Sequence, residues 1–252
     1  MFDLNNKLAL VTGSSRGLGN TLAKALASAG ARVILHGRDL KSLNSAANEW
    51  ENIYGVRPDT TLFDVQDADS VESAVKELIE KFGTPDILVN NAGIQRRAPF
   101  SEFPISDWND IIATNLSSVF YVSRFIVPHM ILRGSGKIIN IASVQSELGR
   151  QTIAPYAASK GGVALLTRGM TADLARHNIQ VNTLSPGYFA TDMNSALVAD
   201  ENFTAWLEQR TPAGRWGRPE ELAGTLIFLA SSASNFVTGQ NIFVDGGMTA
   251  VV

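Results

Sequence analysis

Short apolar runs recur along this chain, and each of the first six leads into a stretch of helical spacing. The runs at 7–12, 32–36, 60–64, 86–90, 136–142, 180–184 and 241–245 are rich in Val, Ile and Leu, with few flanking charges. Strands buried on both faces of a parallel sheet read this way. Residues 18–29, 40–50, 70–82, 106–132, 155–177 and 219–230 carry helical spacing, as at Leu22, Leu26 and Ala29 or at Val71, Val75, Leu78 and Ile79. Repeated strand–helix–strand order implies right-handed crossovers and helices on both faces of one sheet. No linker, low-complexity stretch or internal period divides the chain. The expectation is a single α/β domain over 1–252, a doubly wound parallel sheet of about seven strands.

One stretch breaks the alternation. Between Pro186 and Arg218, helical fragments at 193–199 and 201–209 are interrupted by Pro212 and Gly214. The stretch follows a strand end, where open α/β sheets place their ligands. It reads either as a substrate flap, residues 187–217, or as a plain surface excursion.

The first strand leads into Thr12-Gly13-Ser14-Ser15-Arg16-Gly17-Leu18-Gly19 and then a helix. Glycines at such a turn let backbone approach a pyrophosphate, and the helix N-terminus supplies amide donors and positive potential. A Rossmann-type nucleotide site is expected at Gly13, Ser15, Arg16, Gly17, Leu18 and Gly19. The second strand ends at His36-Gly37-Arg38, where an NAD site usually carries an acid for the ribose hydroxyls. Arg16 and Arg38 suit a 2′-phosphate instead, which guanidinium groups bind bidentately. Asp39 is better placed to cap the next helix. The expected cofactor is therefore NADP(H); the bland alternative is two surface arginines without a phosphate contact. Asp64 and Val65 close the third strand within reach of an adenine edge, and Asn91, Ala92 and Gly93 close the fourth. Both places also read as ordinary turn chemistry.

Tyr156 and Lys160 stand four residues apart on a predicted helix, thirteen residues beyond Ser143. Residues at that spacing share a helix face. A phenol, with a pKa of about 10, is a poor base alone; a neighbouring ammonium favours the phenolate and lowers that value. Ser143 could hold a carbonyl or alcohol oxygen. By itself the pair fits equally a half-buried tyrosine beside a solvated lysine.

Composition excludes other chemistries. A net charge of −3 argues against nucleic acid as a partner. The absence of cysteine removes disulfides, zinc ribbons and thiol catalysis. His36, His129 and His177 have no mutual spacing suited to a metal, so none is expected. Neither a secretory leader nor an apolar stretch of membrane-spanning length is read, so a soluble cytoplasmic protein is expected.

Thr12–Gly19, Asn90–Gly93, Asn115, Ser143, Tyr156-Ala157-Ala158-Ser159-Lys160, Pro186-Gly187 and Val244-Asp245-Gly246-Gly247 occur in order and at the proper intervals. In these motifs the chain resembles the short-chain dehydrogenase/reductase family over essentially its full length. The resemblance implies Tyr156 as general acid/base, with Lys160 lowering its pKa and binding the nicotinamide ribose. It implies Ser143 as the holder of the substrate oxygen and Asn115 as the anchor of a proton-relaying water. Asn115 alone would be read as a satisfied helix-interior residue. Pro186, Gly187 and Thr191 would meet the nicotinamide end, and a homotetramer is implied.

Finer motifs narrow the resemblance. Asn91–Pro99, Ser143–Leu148, Pro186–Thr191 and Arg210–Gly217 are similar to the gluconate 5-dehydrogenases, which interconvert D-gluconate and 5-keto-D-gluconate with NADP(H). The Arg96-Arg97 pair and the Pro-Ala-Gly-Arg-Trp-Gly run also resemble 2-deoxy-D-gluconate 3-dehydrogenases. A sugar-acid substrate is implied, with Arg96 clamping its carboxylate and Gln145, Glu147 and Arg150 placed to read hydroxyls; each could equally line the rim or a subunit contact. A 3-ketoacyl thioester reductase would want an apolar channel, whereas Asp192, Asn194, Asp200 and Glu201 make the flap polar. A non-catalytic cofactor-binding regulator is the reading from another class.

Overall fold

The computed structural model describes residues 1–191 and 194–252. Among them, seven strands form one sheet: β1 Leu8–Val11, β2 Arg32–Gly37, β3 Asp59–Leu62, β4 Ile87–Asn90, β5 Gly136–Ile141, β6 Ile179–Pro186 and β7 Asn241–Val244. Their order is β3-β2-β1-β4-β5-β6-β7, every pair parallel. The order reverses between β1 and β4, which opens a crevice at their C-terminal ends. In register, Val11 sits opposite both Leu35 of β2 and Val89 of β4.

Helices α1 Gly17–Ser28, α2 Leu40–Tyr54, α3 Ala68–Phe82, α4 Ile105–Ile112, α5 Ser118–Arg133 and α6 Ala154–Leu174 connect the strands. After β6 come α7 Ser195–Val198, α8 Glu201–Arg210 and α9 Ala223–Ala230. Alternate strand residues feed two cores. Val11, Leu35 and Val89 pack with Leu22, Leu26, Leu43 and Leu226 on one face. Leu10, Ile34 and Leu88 pack with Val71, Val75, Val122 and Ile126 on the other. Truncating such a fully buried Leu or Ile to Ala costs about 2–5 kcal/mol. That rigidity fixes the strand ends from which the site is built.

The fold is the doubly wound sheet expected, with some local differences. β3 stops at Leu62, short of Asp64, because it is an edge strand and leaves Leu62 exposed. The long helix after β4 is interrupted by a π-helical turn, Ala113–Ser117, that carries Asn115. Contrary to the membrane expectation, the helical run Ile105–Arg133 is long and apolar enough to cross a membrane by length and composition. Within the protein, Val122, Ile126 and Met130 of this run are spent on the core. The flap fragment at 193–199 begins outside the described residues, as does Asp192; α7 covers the rest.

Candidate active site

The glycine turn follows from β1 and from the strands on either side. Gly13 and Gly17 adopt positive φ, 63° and 56°, a region that disfavours any side chain. A β-carbon on Gly19 would lie 2.3 Å from the Gly13 carbonyl oxygen. The turn is held from β4: Asn91 Nδ2 donates to the carbonyls of Thr12 (2.9 Å) and Gly13 (3.2 Å). Thr12 Oγ1 accepts from the amides of Asn91 and Ala92.

From β2, the Gly13 amide donates to His36 Nδ1 at 2.9 Å, and His36 Nε2 lies 3.1 Å from the Phe63 carbonyl. Burial pushes His36 down to about 4, so the ring is neutral, with Nδ1 accepting and Nε2–H donating. The sequence shows only a histidine at a strand end. Its role in holding the turn depends on the pairing of β1 with β2, which no local motif announces.

Arg16 precedes α1 in extended conformation, and both Arg16 and Arg38 are exposed. Gly37 brings β2 against the turn: a β-carbon there would meet Ser15 at 3.4 Å. Asp39 is occupied as the cap of α2, accepting from Ser42 N at 2.7 Å and Ser42 Oγ at 2.6 Å. Asp64 accepts from the Gln66 amide, and Val65 beside it is buried. These positions leave two cations and no free acid beside the ribose end of the turn, which fits a nucleotide carrying an additional phosphate.

Gly93 gathers the other end. A β-carbon there would lie 3.4 Å from Asn115 Oδ1 and 3.8 Å from Lys160 Nζ. Asn115 clamps the strand end, accepting from Ile94 N (2.8 Å) and donating to Ile94 O (3.0 Å) and Ser159 Oγ (3.1 Å). The π-helical turn sets it there, and such turns free backbone groups from the helix ladder. Gly187 crosses Asp245 so closely that a β-carbon would lie 2.7 Å from Asp245 Cα. Thr191 follows, its amide donating to Phe189 O.

Ser143 lies just beyond β5 and is near enough to the Tyr156 phenol to favour its charged form. Its Oγ also accepts from the Gln145 amide at 3.2 Å. Tyr156 is partly open to solvent. Lys160 is buried, its Nζ 5.7 Å from the Tyr156 ring centre and donating to the Ile141 carbonyl at 2.7 Å. One expectation is corrected: loss of water pushes the Tyr156 phenol above its ordinary value, while the Ser143 hydroxyl pulls the other way. Burial likewise pushes Lys160 down to about 8.

Gln145 is buried, and its Oε1 has no hydrogen-bond partner. A buried acceptor left unpaired costs about 1–3 kcal/mol, which a ligand hydroxyl beside Ser143 would offset. Arg96, expected to clamp a carboxylate, lies 3.9 Å from Asp107. Its neighbour Arg97 has no acidic partner among the described residues.

The feet of the excursion after β6 are tied together: Phe189 bridges Gly217, the Ala190 amide donates to Gly217 O, and the Gly217 amide donates to Tyr188 O. Above them Tyr188, Phe203, Trp206 and Trp216 form one aromatic cluster with ring centres 5.1–6.2 Å apart. Trp206 and Trp216 are thus packing residues of this excursion.

Comparison with known proteins places this geometry. A family model described as enoyl-(acyl carrier protein) reductase matches residues 13–249. The gluconate 5-dehydrogenase of Gluconobacter oxydans (strain 621H) is 55% identical over 249 residues, 99% of this chain and 97% of that protein. The 5-keto-D-gluconate 5-reductase of Escherichia coli (strain K12) is 51% identical over 252 residues, 100% of this chain and 99% of that protein. The crystal structure of a gluconate 5-dehydrogenase from Burkholderia cenocepacia J2315 in complex with NADP and tartrate matches with TM-score 0.96 at 53% identity, covering 100% of this chain and 98% of that one. The chain belongs to the short-chain dehydrogenase/reductase family.

As a short-chain dehydrogenase/reductase it is an NAD(P)-dependent oxidoreductase. The strand ends carry groups of the kind such chemistry uses: a glycine turn, a hydroxyl, a phenol and an amine. The turn lies after β1, Ser143 after β5, and Tyr156 with Lys160 on α6.

Proposed function

We propose that this chain is an NADP(H)-dependent dehydrogenase interconverting D-gluconate and 5-keto-D-gluconate. The observation that carries the reading is Lys160, buried with its Nζ 5.7 Å from the Tyr156 ring centre and 3.8 Å from a β-carbon placed on Gly93, with Ser143 acting on the Tyr156 phenol. The sugar-acid assignment is supported by the two relatives above, whose names specify gluconate or its 5-keto form. Tartrate, found with the Burkholderia relative, is itself a hydroxy acid.

Ser143 and Tyr156 together hold the reacting oxygen. In oxidation, Tyr156 takes the alcohol proton; in reduction, the phenol returns it. Bound NADP(H) supplies the hydride acceptor or donor. Lys160 favours the phenolate and binds the nicotinamide ribose. Asn115 anchors the water through which protons reach solvent. Gly13, Ser15, Arg16, Gly17, Leu18 and Gly19 cradle the pyrophosphate, with Arg16 and Arg38 at the 2′-phosphate. Asp64 and Val65 border the adenine; Asn91, Ala92 and Gly93 border the ribose; Pro186, Gly187 and Thr191 border the carboxamide. Gln145 accepts from a substrate hydroxyl, and residues 187–217 act as the flap.

A homotetramer belongs to the same proposal. Phe120 and Leu165 are 51% and 67% exposed on a groove between α5 and α6 that Leu116, Tyr121 and Leu166 also line. Apolar surface of this kind marks association.

The test is a panel of sugar acids, polyols and 3-ketoacyl thioesters with NADP(H) and NAD(H), with product identification. The reading expects 5-keto-D-gluconate from D-gluconate. A 3-keto product, or turnover of the thioester alone, refutes the assignment.

A further inference from the structure

Three loops, after β4, β5 and β6, bring Arg97, Arg150 and Tyr188 to one place. Arg150 Nη1 lies 3.5 Å from the Tyr188 hydroxyl. Its guanidinium stands 4.4 Å from the Phe203 ring centre and 5.9 Å from that of Tyr188. Stacking of this kind holds a guanidinium in a fixed plane while leaving its N–H edge available. Neither Arg97 nor Arg150 has an acidic partner among the described residues. The Ala98 amide donates to the Thr152 carbonyl at 3.1 Å, which ties the loops of Arg97 and Arg150 together, and loss of solvent with the like charge of Arg150 pushes Arg97 below its ordinary value. Tyr188 packs with Leu148 against the cluster of buried Val144, the residue after Ser143, so the two cations border the reacting end of the site. The buried, unpartnered Gln145 Oε1 lies on the same loop as Arg150.

Two neighbouring cations with no acidic partner among the described residues repel each other, and an anion seated between them relieves the repulsion. We infer that Arg97 and Arg150, with Arg150 fixed by Phe203 and Tyr188, form the subsite for the substrate carboxylate and set the preference for acids over neutral polyols. This deepens the sugar-acid reading and rests on it. It also moves the carboxylate contact from Arg96 to Arg97.

The test compares kcat/KM for D-gluconate and for the uncharged D-gluconamide, with NADP⁺, in wild type, Arg97→Gln, Arg150→Gln and Arg150→Lys. Wild type should favour gluconate at least ~10-fold, since charge-assisted bonds are worth about 1.5–3 kcal/mol. Each Gln variant should lose most of that preference, with KM for gluconate rising more than KM for gluconamide, and Arg150→Lys should recover part of it. Arg97 is exposed, so its Gln variant keeps the fold even where Arg150→Gln does not. Wild type inactive on both compounds refutes the sugar-acid reading, and the subsite with it. Wild type active on gluconate, with a preference that survives Arg97→Gln, overturns the subsite alone.

Discussion

The Lys160 amine donates to the Ile141 carbonyl at 2.7 Å, while the Tyr156 ring centre lies 5.7 Å away. The lysine is thus anchored to a strand end beside the tyrosine ring. Burial keeps the phenol above its ordinary value, so Tyr156 holds its proton at neutral pH. Oxidation needs the phenolate and reduction needs the phenol. The kcat/KM for gluconate oxidation should therefore rise with pH while that for ketone reduction falls, which paired pH–rate profiles measure. In Lys160→Met the rising limb should move to higher pH.

Cofactor choice is predicted to rest on Arg38, exposed beside Gly37 with Asp39 already committed to capping α2. Charge-assisted hydrogen bonds to a phosphate are worth about 1.5–3 kcal/mol. Arg38→Ala should lower the NADP-to-NAD ratio of kcat/KM by about 10–100-fold. A wild type that favours NAD, or an unchanged ratio, would count against the 2′-phosphate contact.

His36 predicts a pH dependence of stability. Its folded value of about 4 lies below the ordinary 6.5. The unfolded chain therefore binds the extra proton between those values. The neutral ring's contribution is fully present above about pH 6.5 and is lost as pH falls toward 4, on the order of 3 kcal/mol. Urea melts of wild type and His36→Asn across that window measure it. Wild type should lose more stability than the variant as pH falls.

Gly19→Ala should disturb both fold and cofactor site, because the added carbon meets the Gly13 carbonyl at 2.3 Å. Overpacking of this kind costs about 1–3 kcal/mol, or a drop of roughly 2–12 °C in Tm for a chain of this size. Thermal melts with and without NADPH should show the drop and a smaller cofactor-induced rise.

The tetramer proposal predicts a four-chain mass by light scattering, and a smaller assembly for Leu165→Glu. Gly162 has a role within the chain as well, since a β-carbon there would meet Leu116 at 2.8 Å.

Much of this was legible because buried parallel strands are written as unbroken apolar runs. β1, β4 and β5 fall within the runs at 7–12, 86–90 and 136–142. Asp39 also announces α2 as its side-chain cap. What was not legible depends on contacts distant in sequence. The His36–Gly13 bond spans β1 and β2, and the Arg97–Arg150–Tyr188 cluster needs three strand ends to meet. The π-helical turn at Asn115 leaves no mark on apolar spacing, because the residues flanking it keep a helical pattern.

The most direct measurement is turnover of D-gluconate with NADP⁺ by Tyr156→Phe, alongside NADPH affinity by fluorescence. Loss of the acid/base group should cut kcat by about 10²–10⁴-fold or more, with NADPH binding within a few-fold of wild type. Near-wild-type turnover in that variant would contradict the account.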